Sequence, residues 1–312
     1  MTEITQENNQ NCTQICPLAK LPNDFWTKLF HKPFRKRHPF IFWIAIIVLI
    51  IAILTLIIST DEISKNDCIA LVNIEGAIMD SSQSLEWISK LERNEFVKGV
   101  LVRVNSPGGG ASASQEIFYA LDRLKKIKPV AISMGSMAAS GGLMVSMGGS
   151  RIFANASTVT GSIGVRMDIP QLQGILEKIG IGQETLTTAP YKDAGSYLRP
   201  LSDKDRDYFT SVLQDMHDQF VDIIATSRNM DKEKAKAIAD GKIFTGKVAL
   251  EKGLIDELGD REVAIKWLCE QTGVSRNTKI LIHPKKNRII DDILKSIFTF
   301  DINEITAPIF LY

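Results

Sequence analysis

The sequence predicts an α/β domain with a largely parallel sheet, preceded by one transmembrane helix. From Cys68 onward, short β-branched runs alternate with helix-patterned stretches, the order expected when helices cover a parallel sheet. Ahead of them, Phe40 to Ile58 is an unbroken nonpolar run with Thr55 as its one hydroxyl; as a helix it spans about 28 Å, the thickness of a bilayer core. The chain has 312 residues, 37 basic and 36 acidic, enough to bury a full core and too evenly charged to suggest a nucleic-acid partner.

The apolar run is flanked asymmetrically. Arg35, Lys36 and Arg37 precede it, with Lys20, Lys28 and Lys32 further back, while Asp61, Glu62 and Asp67 follow with only Lys65 basic. The positive-inside rule then puts residues 1–39 in the cytoplasm and everything after Ile58 outside, across a bacterial-type inner membrane. The run is too long and its leader too extended for a cleaved signal peptide, and no A-x-A site follows, so residues 40–58 read as an uncleaved signal anchor with the bilayer as partner.

Residues 66–275 form the predicted catalytic domain. Its strands are Ile69 to Ile74, Gly99 to Val104, Val130 to Met134 and Arg151 to Ala154. Between them, Ser112 to Lys126 places Ile117, Ala120, Leu121 and Leu124 on one helical face, and Pro129 closes the helix. Ser202 with Asp205 resembles a capping box, opening a long helix with Phe209, Val212, Leu213, Met216, Phe220, Ile223 and Ile224 as its core stripe. Val248 to Lys252 and Glu262 to Cys269 read as two short helices. Residues 276–312 form a looser extension with a basic turn at Lys285, Lys286 and Arg288 and an apolar end from Pro308 to Tyr312.

The anchor separates the four cysteines, Cys12 and Cys16 inside from Cys68 and Cys269 outside. Neither side then has a four-ligand metal set, and no metal or cofactor is expected. Cys68 lies in an apolar strand run, where a plain buried thiol is commoner than a disulfide to Cys269.

Two glycine-rich segments each leave a strand and open a helix. In Asn105-Ser106-Pro107-Gly108-Gly109-Gly110, free backbone N–H groups suit a phosphate or an oxyanion, or the glycines simply make a tight turn. Neither Walker spacing nor G-x-G-x-x-G is present, which removes most support for a nucleotide. In Ser133-Met134-Gly135-Ser136-Met137-Ala138-Ala139-Ser140-Gly141-Gly142, Ser140 is either an exposed nucleophile at a helix N-terminus or part of a small-residue packing contact. A nucleophile needs a base, and the four histidines are poorly placed: His31 and His38 precede the anchor, His217 flanks the long stripe and His283 lies in the extension. A Ser-Lys dyad is the natural substitute. A lysine serves as base only if its pKa falls from about 10.4 towards 7, which burial among apolar groups can bring about. Lys192, in Ala189-Pro190-Tyr191-Lys192-Asp193-Ala194-Gly195-Ser196, is the candidate; taken alone it reads as a solvated surface lysine.

Together with Thr160-Gly161-Ser162-Ile163-Gly164-Val165 and the stretch from Arg103 to Gly110, these segments resemble the signal peptide peptidase A (SppA, protease IV) family of serine-lysine peptidases. The likeness runs from about Ile69 to Leu258; one departure is Thr188-Ala189-Pro190, where a Ser-Gly pair is more usual. The resemblance implies Ser140 as nucleophile, Lys192 as base, Ser162 as hydrogen-bond partner of the lysine amine, and the N–H groups of Gly109 and Gly141 as oxyanion hole. It also implies a Clp protease/crotonase-like β-β-α spiral superfold in the short, single-domain form. The expected activity is serine endopeptidase cleavage of released signal peptides and other peptides, in a homo-oligomeric ring where the serine of one subunit can meet the lysine of the next. Two alternatives remain at this point: a catalytically silent membrane scaffold of the same fold, and a crotonase-type acyl-CoA enzyme.

Overall fold

The computed structural model describes residues 38–58, 66–283 and 310–311, with side chains in the first segment described as far as residue 52. The expectations attached to residues 1–37, to the acidic flank Asp61 and Glu62, and to the basic turn Lys285, Lys286 and Arg288 lie outside the described residues. Two compact units divide the chain, residues 1–63 and 64–312.

In the first unit, α1 (Pro39–Ile58) is a 20-residue helix over the predicted apolar run. Its described side chains, among them Phe40, Trp43, Ile44, Val48 and Leu49, are largely exposed. Among residues with described side chains, which in α1 end at Ala52, no helix is long and apolar enough to cross a membrane.

The second unit runs β1 (Cys68–Glu75), α2 (Ser82–Arg93), β2 (Val97–Ser106), α3 (Ala111–Leu124), β3 (Val130–Ala139), α4 (Gly141–Ser146), β4 (Arg151–Ala154), β5 (Val159–Gly161) and β6 (Arg166–Met167). It continues through α5 (Gln173–Lys178), α6 (Asp203–Ser227), α7 (Lys232–Ala237), β7 (Ile243–Thr245), α8 (Gly246–Glu251), β8 (Glu257–Leu258), α9 (Arg261–Thr272), β9 (Leu281–Ile282) and β10 (Phe310–Leu311).

Strands β1 to β4 pair in parallel, which places Val72, Val102, Ile132 and Ile152 in one row across the sheet. These four are buried in the larger core cluster, beneath Trp87, Ile88 and Leu91 of α2 and Ile117, Leu121 and Leu124 of α3. One residue earlier, Leu71, Leu101 and Ala131 point the other way, into a smaller cluster with Ala264, Ile265 and Leu268 of α9. Successive side chains alternate faces, so a strand covered on both sides must be apolar at consecutive positions; the legible runs are of this kind. Trp87 Nε1 donates to Leu71 O at 2.9 Å, fastening α2 to β1. Cys68 is buried in the larger cluster and Cys269 is half-buried on α9, and the two are not joined.

Strand β3 outruns its predicted end at Met134 by five residues and changes partners on the way. Ala131 to Ser133 pair with β4, whereas Met137 to Ala139 pair with β5, which turns antiparallel to β7. Side chains bridge the handover: Asn105 Oδ1 accepts from Met137 N, Thr158 Oγ1 donates to Gly135 O, and Thr160 Oγ1 donates to Ala138 O.

The long helix α6 starts where predicted, with Ser202 and Asp205 completing a reciprocal capping box. Of the expected stripe, Phe220, Ile223 and Ile224 are buried in the core and the half-buried Met216 packs against it, while Phe209, Val212 and Leu213 are half-buried. Its first half instead carries the chain around Lys192.

Candidate active site

Strand β3 ends at Ala139 and α4 starts at Gly141, which leaves Ser140 as a one-residue hinge at φ 55°, ψ −121°. A side chain seldom adopts positive φ, and such strain persists only where its surroundings impose it. They do so from both sides: Ser140 N donates to Gly161 O at 2.8 Å, and Ser140 O accepts from Met144 N at 3.0 Å. Of the two readings of this segment, the small-residue packing contact is present, and Ser140 is buried rather than exposed, although it lines a pocket. A Cβ on Gly141 would lie 2.3 Å from Ser114 Oγ, and one on Gly142 would lie 2.8 Å from Ser106 O, so both glycines admit close packing on β2 and α3. That packing fixes the helix end on which Ser140 is presented.

The turn after β2 closes against residues 77–79. Ile78 N donates to Gly108 O at 2.9 Å and Gly110 N donates to Ile78 O at 2.8 Å, while a Cβ on Gly109 would lie 2.4 Å from Ile78 O. Gly109 lies between those two bonds, and neither its N–H nor that of Gly141 finds a hydrogen-bond acceptor among the described residues. Ser162 reaches the same place from β5. Its φ is 53°, and its N–H donates to Lys242 O at 2.7 Å in the turn before β7.

Gly109, Ser140 and Ser162 line one open pocket of about 560 Å³, together with Ala77, Met79 and Val165. Gly141 adjoins it in the chain. Lys192 is not among the lining residues. It stands exposed in a run of turns, its backbone N–H donating to Ala189 O at 3.1 Å, and its ammonium makes no hydrogen bond or ion pair with another described residue. The outer histidines are engaged elsewhere, His217 Nε2 with Ala239 O at 2.9 Å and His283 against the Trp87 ring. Sequence reasoning had not named Ala77, Met79 or Arg166 of the pocket wall, which no periodicity marks.

Arg166 and Met167 form β6, the continuation of that wall, and pair antiparallel with Leu311 and Phe310 of β10. The wall therefore has a strand edge able to bind an extended chain.

A serine and a glycine N–H lining one pocket, with a second N–H on the residue after the serine and neither N–H bonded among the described residues, are the parts acyl transfer requires: an alkoxide to attack a carbonyl and N–H groups to receive the negative oxygen. Residues 122–275 match the model of peptidase family S49. A provisionally named protease of Synechocystis sp. is 40% identical over 209 residues, covering 66% of this chain and 75% of that one. A provisionally named signal peptide peptidase SppA of Enterococcus faecium is 34% identical, covering 70% and 68%. Protease 4 of Haemophilus influenzae is 31% identical, covering 75% of this chain and 38% of its own. The strained serine, its glycine turns and these likenesses agree: the chain is a serine peptidase and belongs to family S49, with the SppA and protease 4 enzymes.

Proposed function

We propose that this peptidase is a membrane-anchored endopeptidase of a bacterial inner membrane that cleaves apolar, extended peptides, spent signal peptides among them. Ser140 is its nucleophile and Lys192 its base. The observation carrying this reading is Ser140 held at φ 55° over the pocket that Gly109 and Ser162 share. The Lys192 amine takes the Oγ proton as Oγ bonds to the scissile carbonyl carbon, and the carbonyl oxygen gains negative charge facing the N–H groups of Gly109 and Gly141. Collapse of this intermediate breaks the C–N bond, the ammonium returns its proton to the leaving amine, and water then releases the acyl group by the same steps. Ser162 holds the amine in line.

Peptide substrates suit the pocket because its wall continues into β6, whose edge already pairs with an extended segment. Addition of a strand fixes the substrate backbone independently of its side chains, so diverse apolar segments share one register. Lys192, exposed and outside the pocket lining, favours delivery of the base from a neighbouring subunit in a closed ring, where the interface would exclude water from the dyad. Anchoring rests on α1, whose 20 residues reach about 30 Å, and on the basic residues ahead of it, which favour a cytoplasmic N-terminus and an outer catalytic domain.

Labelling of the detergent-solubilised protein with a fluorophosphonate, alongside hydrolysis of a quenched apolar peptide, tests the reading. Parent protein should be labelled and active, and Ser140→Ala should be neither. Labelling that survives in Ser140→Ala would reject the nucleophile, and an unreactive, inactive parent would leave the silent scaffold.

A further inference from the structure

The Lys192 ammonium has no hydrogen-bond or ion-pair partner among the described residues, yet both of its neighbours are tied down. Asp193 accepts from Arg199 twice, its Oδ2 from Nε at 2.6 Å and its backbone O from Nη2 at 2.9 Å. The same guanidinium gives Nη1 to Asp205 Oδ2 at 2.6 Å. Asp205 is buried in the first turn of α6, where its carboxylate also accepts from Ser202 N at 3.0 Å as half of the capping box. On the other side of Lys192, the Tyr191 ring packs on Tyr208 with centroids 5.1 Å apart, and Tyr208 packs on Phe209 at 5.1 Å. Gly195, at φ +79°, completes the turn with the Phe209 ring 3.1 Å from where a Cβ would stand. All three ties end on the first two turns of α6, whose far end is buried through Phe220, Val221, Ile223 and Ile224.

We infer that Arg199 is a positioning residue for the reaction: by clasping Asp193 to Asp205 it fixes the direction in which the neighbouring Lys192 projects. A planar guanidinium suits this place because its fork bonds both carboxylates and a carbonyl at once, which a single ammonium cannot do in the same geometry. The Asp205 end of the clasp also stays charged well below neutral pH, since Arg199 holds its carboxyl down to about 2. The aromatic contacts hold the segment against α6, and the guanidinium sets its rotation about that contact. This holds whether Lys192 serves the pocket of its own chain or that of a neighbour.

The inference rests on Lys192 acting as base, so the full-length protein is tested with Arg199→Ala, Arg199→Lys, Asp193→Ala and Lys192→Ala together. Each variant is assayed on a quenched apolar peptide for kcat per fluorophosphonate-titrated site, KM, pH profile and melting temperature. In Arg199→Ala, kcat per titrated site should fall about 30- to 100-fold with KM within about twofold, the size of loss that a misplacement near 1 Å produces. Asp193→Ala should fall similarly and keep its melting temperature, because the bond from Arg199 to Asp205 remains. Removal of the Asp193 charge alone would instead displace the pH profile and spare the plateau. Arg199→Lys should recover only part of the activity. A merely structural role predicts fewer titrated sites of unchanged kcat, and that result would overturn the inference, as would full recovery in Arg199→Lys. Should Arg199→Ala fail to fold, Asp193→Ala decides, and a parental plateau there overturns the inference. If Lys192→Ala keeps its activity the base assignment falls and takes the inference with it; if Lys192→Ala is inactive while a folded Arg199→Ala is parental, the inference falls alone.

Discussion

Alanine substitution at two adjacent glycines separates the oxyanion-hole reading of the turn after β2 from a simple tight turn. At Gly109 the new Cβ would meet Ile78 O at 2.4 Å and Ile78 N at 2.6 Å, where ordinary contact starts at 3.4 Å. Both atoms belong to backbone pinned by the bonds from Ile78 N to Gly108 O and from Gly110 N to Ile78 O. One side must therefore retreat by about 1 Å, since a close-packed interior has no slack to absorb the overlap. The Gly109 N–H moves with it. Loss of one such donor costs about 3 kcal/mol, so kcat for Gly109→Ala should fall roughly 100- to 1,000-fold with KM little changed. At Gly110 the same Cβ finds Ile78 O at 3.4 Å, with φ already at −57°. Gly110→Ala should therefore lose about 0.5–1 kcal/mol of stability at its helix N-cap, where Gly is preferred to Ala, and keep kcat within about twofold. Steady-state hydrolysis of a quenched apolar peptide, normalised by active-site titration, reads both variants. Parental kcat in Gly109→Ala, or equal damage in Gly110→Ala, would refute the assignment of that N–H.

Ser140→Ala and Lys192→Ala should each retain less than about one hundredth of the peptidase activity with melting temperatures near that of the parent, and Ser162→Ala should lose about ten- to a hundredfold; a more active dyad variant would refute its assignment. For acid stability the sign follows from Asp205, whose folded pKa is depressed from 3.8 to about 2, first through its bond to Arg199. Its contribution is fully present above about pH 4 and is lost as pH falls towards 2. Asp205→Asn should therefore melt lower at pH 7 yet change less between pH 4 and pH 2, as thermal scans would show. Protease added to intact spheroplasts should digest the chain beyond Ile58 and spare residues 1–39; the reverse pattern would contradict the proposed orientation. Inactive Ser140→Ala and Lys192→Ala subunits, unfolded and reassembled together, should regain part of the activity if the dyad is shared across an interface. Background activity in verified mixed rings would reject sharing.

The fold was legible where burial on both faces forced consecutive apolar residues. Val72, Val102, Ile132 and Ile152 of one row, with Leu71, Leu101 and Ala131 of the next, all fall in runs recognisable by composition. The start of α6 was legible because Ser202 and Asp205 form a cap that depends only on local spacing. The end of β3 was not, since Gly135 to Ala139 have little strand preference of their own. They are extended because Thr158, Thr160 and Asn105 bond them from elsewhere in the sequence. The first half of the α6 stripe departed from its expected burial for a related reason: its spacing shows that Phe209 and Leu213 share a face, but what covers that face is decided by segments distant in the chain.

The site divides along the same line. Ser140 stands out by its place between a strand and small residues, and the packing those residues allow buries it while leaving it in the lining of a pocket. Lys192 has no such local signature. Its candidacy came only through a family resemblance, and the Asp193–Arg199–Asp205 clasp was not legible at all, since residues six apart are not neighbours on either a helix or a strand. This division has a mechanical consequence. The proposed nucleophile is fixed by buried neighbours on β2, β3 and α3, where an added methyl meets backbone or a packed side chain at once; the proposed base is itself exposed, on a segment held to α6 by one guanidinium and three aromatic rings. Substitutions around Ser140 should therefore lower activity and stability together, because the same packing serves both. Around Lys192 the two should separate, with large losses of kcat at small cost in melting temperature, since the contacts that aim the lysine bury little apolar surface.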